Sequence, residues 1–450
     1  MPSSCSGSQL IYVHVPFCRS FCTYCDFYSE IPQCRRLGAS SSDVLSCAEE
    51  KKAAETAQFN NYADGLCAEL ESRLEEVKST LDVDTLYIGG GTPSVLPLSV
   101  LGRIIDACAK AAGKNRSEAS ASPNPAVASG NSEADSTSGP AKFAKVCGWF
   151  RELTVEVNPE DIVEKGFEYA KGLRGLGVNR VSMGVQSLDD SVLKWMNRRH
   201  SADGARKAFK VLREAGFENL SVDVIFGLGQ IQGASETALQ DTLKEIAGWH
   251  PEHISAYQLS IEEGSALAKL IRAGRYQEAD DEACRQQYEL ICSTLATAGY
   301  VHYEISNWAL PSHEAVHNSA YWTRAPYVGL GPGAHSLVTN IRSWNEQNLV
   351  SWRSASGSGH ETLSDKEIRE EQIMLGLRTA KGIEPSLLSW SCPNQPAIQP
   401  QNSFVACQAK VMAPNRITPA GLEWTTEGRL RIPEKDFFVS DAIISSLLPE

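Results

Sequence analysis

The sequence predicts an α/β fold, a partial (β/α)6 barrel followed by a smaller C-terminal α+β domain. Three observations support this prediction. The first 310 residues alternate short β-rich runs with helical patterns, six such units follow one another, and the pattern changes after about residue 340. Regular alternation of this kind is typical of a parallel sheet covered by helices. Six units are fewer than the eight of a closed barrel, so we expect an open form.

The six predicted strands are short apolar or β-branched runs at residues 10–15, 85–89, 153–158, 180–185, 220–226 and 254–260. Amphipathic helical patterns lie between them, at residues 61–77, 202–215 and 236–249. In the first of these helices Tyr62, Leu66, Leu70 and Leu74 recur every four residues, which places them on one face.

Three polar stretches interrupt this pattern. Residues 114–142 are rich in Ser, Ala, Asn, Gly and Pro and predict a disordered surface loop. A shorter polar insertion begins at residues 40–46. A third irregular stretch, 391–414, separates a helical pattern at 365–379 from a predicted hairpin at 422–432 and a closing helix at 439–448. We therefore predict a first domain over residues 1–340 and a second domain over residues 341–450.

Composition excludes several classes of protein. The net charge is −13, whereas nucleic-acid and anionic-membrane binders need a basic surface. No run of about 18 apolar residues exists, so we expect no transmembrane segment. About ten residues precede the first strand, too few for a secretory signal and without the Arg-rich character of a transit peptide. The simplest expectation is a cytoplasmic protein.

Three of the 13 cysteines are clustered directly after the first strand, with the spacing C-x3-C-x2-C at Cys18, Cys22 and Cys25. Three thiolates on one short loop can each bind one iron of a 4Fe–4S cube, and the fourth iron is left without a protein ligand. That open iron can chelate S-adenosylmethionine (SAM), which the cluster then cleaves to a 5′-deoxyadenosyl radical. The alternatives are chance or a zinc site. Zinc usually needs a fourth Cys or His, and His14 lies out of register in the strand.

A glycine-rich turn follows the second predicted strand, at residues 89–93. Loops of this kind gather at the C-terminal face of a barrel, where active sites form, and glycines permit close approach to a ligand. A glycine-rich turn alone is weak support. This turn lies in the second βα-loop, directly after the βα-loop that carries the three cysteines. In that position, the turn predicts contact with the methionine part of SAM.

With these motifs the chain resembles the oxygen-independent coproporphyrinogen-oxidase-like family of radical SAM proteins. The resemblance covers nearly the whole length apart from the insertions, and it implies that the barrel is a radical SAM barrel. The matching stretches are residues 12–18, 89–93, 156–159, 179–187, 223–228 and 303–307.

Two features place the resemblance in the heme-chaperone (HemW-type) branch of this family and not with the oxidase. The oxidase has a further Cys two residues beyond the third cluster ligand, and this chain has Phe27 there. Residues 317–322 match the H-N-x-x-Y-W motif of the chaperones, and residues 329–336 also resemble their sequence. The resemblance implies a protein that binds heme, a 4Fe–4S cluster and SAM, receives electrons from a donor, and transfers heme to an acceptor protein.

Two other functions stay open at this point. One is oxygen-independent coproporphyrinogen III oxidase, which removes hydrogen from propionate side chains before decarboxylation in porphyrin biosynthesis. The other is a degenerate module that holds a cluster without using SAM, against which the intact cysteines and the glycine turn argue.

The resemblance also implies individual ligand contacts. The expected SAM contacts are Tyr12, Tyr24, Gly91, Thr92, Glu156, Gln186, Arg198 and Asp223. The expected heme contacts are His317, Tyr321 and Trp322, with the alternative that His317 is simply hydrogen-bonded within a loop packed by Tyr and Trp. Other histidines, including His302, His313 and His335, could substitute for His317 as ligands. Asp223 lies in an apolar strand and needs a buried partner in any case. Arg198 belongs to a basic trio and has a solvated surface position as its alternative.

Overall fold

A computed structural model describes residues 9–32, 44–78, 83–114, 149–354, 358–388 and 421–448. All six predicted core strands form, and they lie parallel in chain order, which confirms the α/β class. These strands are β1 (Gln9–Val15), β2 (Val83–Gly90), β3 (Glu152–Val157), β4 (Arg180–Gln186), β5 (Leu220–Phe226) and β6 (His253–Gln258).

The strands form where the chain supplies residues that can be buried on both faces. In β1, neighbouring residues point to opposite faces of the sheet, yet Leu10, Ile11, Val13 and Val15 are all fully buried. A sheet that is buried on both faces favours such near-continuous apolar runs. In β1, Ile11, Val13 and Val15 share one face, and Tyr12 and His14 on the other face line the cleft described below.

The helices that follow β1 to β5 pack on the outside of this sheet. They are α1 (Val44–Ser72), α2 (Leu74–Lys78), α3 (Leu98–Ala111), α4 (Pro159–Gly175), α5 (Asp190–Trp195), α6 (Ala202–Glu214) and α7 (Ala238–Gly248). The helix predicted at residues 61–77 begins earlier than expected and is interrupted at Arg73. The Arg73 guanidinium there donates to the carbonyl of Gly329, at 2.8 Å, and to the Ser336 hydroxyl, at 3.0 Å.

The sheet continues beyond the six βα units and, within the described ranges, contains 12 strands. The added strands are β7 (Val301–Glu304), β8 (Asn307–Ala309), β9 (Tyr327–Leu330), β10 (His335–Val338), β11 (Ile341–Trp344) and β12 (Gly359–Thr362). β9 lies parallel to β1, and β10, β11 and β12 follow it as antiparallel neighbours. Strands on both sides of residue 340 thus belong to one sheet, and a domain division at that residue stays a prediction.

The remaining helices and strands follow β6 in the sequence. They are α8 (Ala266–Arg272), α9 (Asp281–Thr297), α10 (Val316–Trp322), α11 (Leu349–Arg353), α12 (Asp365–Leu377), the antiparallel pair β13 (Glu423–Trp424) and β14 (Leu430–Arg431), and α13 (Ser440–Leu447). The predicted hairpin and closing helix therefore form. Of the predicted insertions, residues 40–43, 115–142 and 391–414 lie outside the described residues, and Val44 begins α1.

In the part of the chain that the structure describes, no helix is both long enough and apolar enough to span a membrane.

Candidate functional site

One cleft of about 1100 Å³ opens at the carboxyl ends of the parallel strands. Its lining includes the strand-end residues Gly90, Val157, Gln186 and Gln258, from β2, β3, β4 and β6. Ligands bind at this edge of parallel α/β sheets because the loops that follow the strands meet there.

The loop with the three clustered cysteines forms one wall of the cleft. Cys18, Cys22 and Cys25 all line it as free thiols, and Cys18 is buried. Backbone hydrogen bonds hold the loop at both ends. The amide of Cys18 donates to the carbonyl of Glu30 at 3.0 Å, and the amide of Thr23 donates to the carbonyl of Met196 at 3.0 Å. The loop is therefore fixed to the βα unit of β4 as well as to β1.

The three thiols fit a 4Fe–4S cluster by their chemistry. Cysteine is the usual cluster ligand, and each cysteine of a cube binds a different iron, so the three need not converge on one point. Among the described residues, no three His, Cys, Asp or Glu side chains converge on a single metal ion. Burial raises the pKa of Cys18, and it raises that of Cys25 to about 11. Binding of iron would release these protons, since the thiolate is the ligand.

Arg198 lies beside the cysteine loop and is not a solvated surface residue. One guanidinium nitrogen is 3.4 Å from the sulfur of Cys22, and another donates to Asn158 Oδ1 and to the carbonyl of Gly184, both at 2.7 Å. Asn158 in turn donates to the Thr92 hydroxyl at 3.1 Å. A cation is thus held within reach of both the cluster loop and the cleft.

The glycine turn after β2 packs against the cysteine loop. A Cβ atom at Gly91 would lie 2.8 Å from the carbonyl oxygen of Phe17 and 2.9 Å from that of Val15, closer than real Cβ atoms approach. The Gly91 amide donates to the Val15 carbonyl at 2.8 Å, and the Thr92 hydroxyl lies 3.4 Å from the sulfur of Cys18. Glycine at 91 is therefore required by the chain's own loop, whereas the sequence had suggested only approach to a ligand.

Two half-buried carboxyl groups, Glu156 on β3 and Asp223 on β5, line the cleft. Glu156 accepts hydrogen bonds from the Tyr87 hydroxyl at 2.7 Å and from the Gly90 amide at 3.0 Å. Burial raises the pKa of Glu156 to about 7, although these two hydrogen bonds act in the opposite direction. Burial also raises the pKa of Asp223, whose carboxylate accepts a hydrogen bond from Ser182 at 3.2 Å. Asp223 thus has the buried partner that its strand position requires.

The remaining predicted SAM contacts also line this cleft. Gln186 ends β4 with a φ of +67°, a left-handed conformation that is strained for a residue other than glycine and often marks a functional site. Tyr24 packs against the apolar cluster that includes Met196 and Ile225. The Tyr12 hydroxyl lies 3.1 Å from Nδ1 of His14. All eight predicted residues, from five different βα units, therefore meet in one place.

The predicted heme-binding residues do not all reach the cleft. Of His317, Tyr321 and Trp322, only Tyr321 is among the described residues that line it. The His317 ring is buried, with Nδ1 2.7 Å from the Thr85 hydroxyl and Nε2 2.9 Å from the Tyr321 hydroxyl. This geometry is the hydrogen-bonded alternative that the sequence left open, and it makes His317 a bridge between β2 and α10.

Sequence reasoning missed one group in the cleft. Arg180, in β4, is 1% exposed, and its Nε atom has no hydrogen-bond partner among the described residues. A charged residue within the apolar run of β4 was a visible signal, because buried arginine normally needs a partner. Of the three histidines that could substitute for His317, His335 lines the cleft, from the start of β10, and His302 and His313 are not among its lining residues.

Comparison with known proteins agrees with this geometry. A family model described as the radical SAM superfamily matches residues 12–246. The protein named heme chaperone HemW from Mycobacterium tuberculosis is 29% identical over 379 residues, which cover 83% of this chain and 82% of that protein. The HemW of Bacillus subtilis is 28% identical, with coverages of 83% and 84%.

Two further similarities extend to animals and to a solved structure. The Bos taurus protein named radical S-adenosyl methionine domain-containing protein 1, mitochondrial, is 30% identical over 413 residues, which cover 86% of this chain and 79% of that protein. The solved structure of coproporphyrinogen III oxidase from Escherichia coli, titled a radical SAM enzyme, covers 98% of this chain and 91% of its own, with a TM-score of 0.68. Its sequence identity is 17%, so this likeness concerns the fold alone.

Proposed function

We propose that this chain, which belongs to the radical SAM superfamily, is a heme chaperone that binds a 4Fe–4S cluster, SAM and heme and passes heme to an acceptor protein. The observation that supports the proposal most directly is sustained similarity to proteins named heme chaperone. It extends over about four-fifths of this chain and of those proteins, and so includes the residues after the barrel.

The cleft suits the cluster and SAM together. Cys18, Cys22 and Cys25 would hold the cluster, and when bound it supplies an open iron and an electron for chemistry on SAM. Arg198 is placed to attract a carboxylate and Glu156 a positively charged group, and both line the same cleft. SAM has both kinds of group, so a complementary pair of charges would orient it.

The rival function is oxidation of coproporphyrinogen III. The fold does not separate the two functions, because the solved oxidase structure has the same architecture. Residue 27 does favour the chaperone. The oxidase branch has a further cysteine at that position, and this chain has Phe27, which is 69% exposed at the mouth of the cleft. An exposed aromatic ring suits an apolar porphyrin face.

The partners and the location of the protein are part of the same proposal. A heme chaperone needs an acceptor protein, and reduction of the cluster needs an electron donor. We propose a cytoplasmic protein that does not bind nucleic acid, since its net charge of −13 opposes binding to phosphate backbones. Cell fractionation with an antibody against the chain tests the location. The cytosolic fraction should be compared with the organelle fraction, because the Bos taurus relative is named as mitochondrial.

Anaerobic reconstitution followed by two parallel assays tests the function. Added heme should give a Soret shift that saturates near one heme per chain. The same preparation, supplied with SAM and a reductant, should not convert coproporphyrinogen III to protoporphyrinogen IX. Steady turnover of that substrate without saturable heme binding would show that the protein is the oxidase.

A further inference from the structure

The nine histidines of the chain all lie within the described ranges, and two of them line the cleft. His14 has both ring nitrogens occupied, by the Tyr12 hydroxyl at 3.1 Å and by the carbonyl of Tyr28 at 2.9 Å. The His335 ring is exposed, and within the described ranges it makes no hydrogen bond. The cleft therefore has one imidazole that is free to bind a metal.

We propose that heme docks across the mouth of the cleft with its iron bound by His335. This proposal rests on the proposed heme-chaperone function and assigns the iron ligand, which the similarity to other proteins does not. Histidine is a common axial ligand of heme iron, and a ring that is exposed and unpaired needs no rearrangement to reach it.

The rim of the cleft around His335, formed by residues 333–335 and 344–346, is held together by ring and backbone contacts. β10 and β11 pair so that His335 lies opposite Trp344, and the two rings stack with centroids 6.2 Å apart at an angle of 30°. Backbone hydrogen bonds from Asn345 to Ala334 and from Gly333 to Glu346, both 2.9 Å, fix the two segments together. The imidazole is therefore carried by a segment that is fixed to β11, with an indole ring on its flank.

The same rim reaches the end of the cysteine loop. The amide of Leu349 donates to the Tyr28 hydroxyl at 2.9 Å, which ties the segment after β11 to the residue that follows Phe27. Phe27 and Phe21 line the cleft and are 69% and 52% exposed. Exposed apolar residues that lie together at a cleft are typical of a ligand-binding surface. A porphyrin offers a flat apolar face of that kind, and binding would remove these rings from water.

The charge state of His335 suits this role. His335 is exposed only in part, and its partial burial lowers the pKa of the imidazole below its ordinary value, with Arg342 acting in the same direction. The neutral imidazole, which is the form that donates a lone pair to iron, is therefore favoured near pH 7.

The other histidines are poorly placed for this ligation. Seven do not line the cleft: His200, His250, His253, His302, His313, His317 and His360. His317 would have to break its contacts with Thr85 and Tyr321 before either ring nitrogen could reach iron. His317, the histidine of the sequence motif, is thus assigned a structural role, and His335 is assigned the role of iron ligand.

The test is a heme titration of the reconstituted protein with three variants. His335→Ala should weaken heme binding at least about tenfold, because even residues that only support a metal ligand contribute about 10–100-fold to metal affinity. It should also change the Soret band and the electron paramagnetic resonance signal of the ferric heme, and added imidazole should restore both. His360→Ala removes an exposed histidine from β12 of the same sheet and should leave both signals unchanged.

The outcomes separate the two proposals. Heme binding by the wild-type protein with no change in affinity or spectrum in His335→Ala overturns the ligand assignment and leaves the chaperone function standing. Weakened binding that imidazole does not restore also overturns it, since His335 would then act on the shape of the rim. Absence of saturable heme binding by the wild-type protein overturns both proposals. If His335→Ala loses its cluster or its folded circular dichroism spectrum, His335→Gln keeps a side chain of similar length and is judged by the same criteria.

Discussion

Binding of SAM should depend on pH through Glu156. Burial raises the pKa of this carboxyl to about 7, and it faces the cleft where we place the positively charged part of SAM. Below pH 7 the group is mostly protonated and no longer attracts a cation. SAM should therefore bind more weakly as the pH falls through 7, and the effect should level off above about pH 8.

The size of the effect follows from the ionised fraction. With a pKa of about 7, about one-tenth of Glu156 is ionised at pH 6 and about nine-tenths at pH 8. If only the ionised form binds SAM, the dissociation constant should be about tenfold higher at pH 6 than at pH 8. This ratio corresponds to a loss of about 1.4 kcal/mol in binding free energy. Anaerobic titration calorimetry of the reconstituted protein at several pH values measures this directly.

Two variants isolate the contribution of Glu156. The Glu156→Gln variant should bind SAM weakly at every pH, and its affinity should no longer depend on the ionisation of residue 156. Ionisation of SAM itself affects the variant and the wild-type protein equally, so the difference between them reports on Glu156. Tyr87→Phe removes a hydrogen bond that stabilises the carboxylate, so the midpoint of the curve should move to higher pH. Equal affinities at pH 6 and pH 8, or a Glu156→Gln variant that keeps the wild-type curve, would refute the reasoning.

Three further predictions concern the cluster and the fold. Replacing any one of Cys18, Cys22 or Cys25 by Ala should remove most of the cluster absorbance and iron content after reconstitution, because a cube with two protein ligands is held weakly. SAM should perturb the electron paramagnetic resonance spectrum of the reduced cluster. Gly91→Val should weaken that effect and also lower cluster content, since its side chain collides with the cysteine loop. His317→Ala should lower the free energy of unfolding by about 2–4 kcal/mol, because it leaves a cavity and an unpaired Thr85 hydroxyl. Urea denaturation followed by circular dichroism measures this loss.

Each of these predictions has a control in the chain. Cys67→Ser changes a free thiol on α1, outside the cleft, and should keep the full cluster. Gly248→Ala adds a Cβ with nothing within 4 Å and should leave cluster and SAM signals unchanged. Full iron and sulfide in a variant lacking all three clustered cysteines, or normal cluster content in Gly91→Val, would contradict the assignments. A stable His317→Ala protein that has lost heme binding would return His317 to the role of ligand.

The fold was predictable because its signals are local. Each of β1 to β6 is a short run of residues that can be buried on both faces, and the intervening helices show an apolar face of their own. The details at element ends were less accessible. The break at Arg73 depends on acceptors at Gly329 and Ser336, which are distant in sequence and are set by where β9 and β10 pack.

The sequence by itself predicted the candidate cluster ligands and the strand order. Three cysteines at fixed spacing on one loop stay together in any packing, and successive βα units place their loops on one edge of the sheet. Only the tertiary structure decided which charged and aromatic side chains reach that edge. Arg198 meets Cys22 across 176 positions of the chain, and His317 turns towards Thr85 while His335 opens into the cleft. The physical reason is that the direction of a side chain depends on the helix or strand packed against it, and neighbours in space are not neighbours in the sequence.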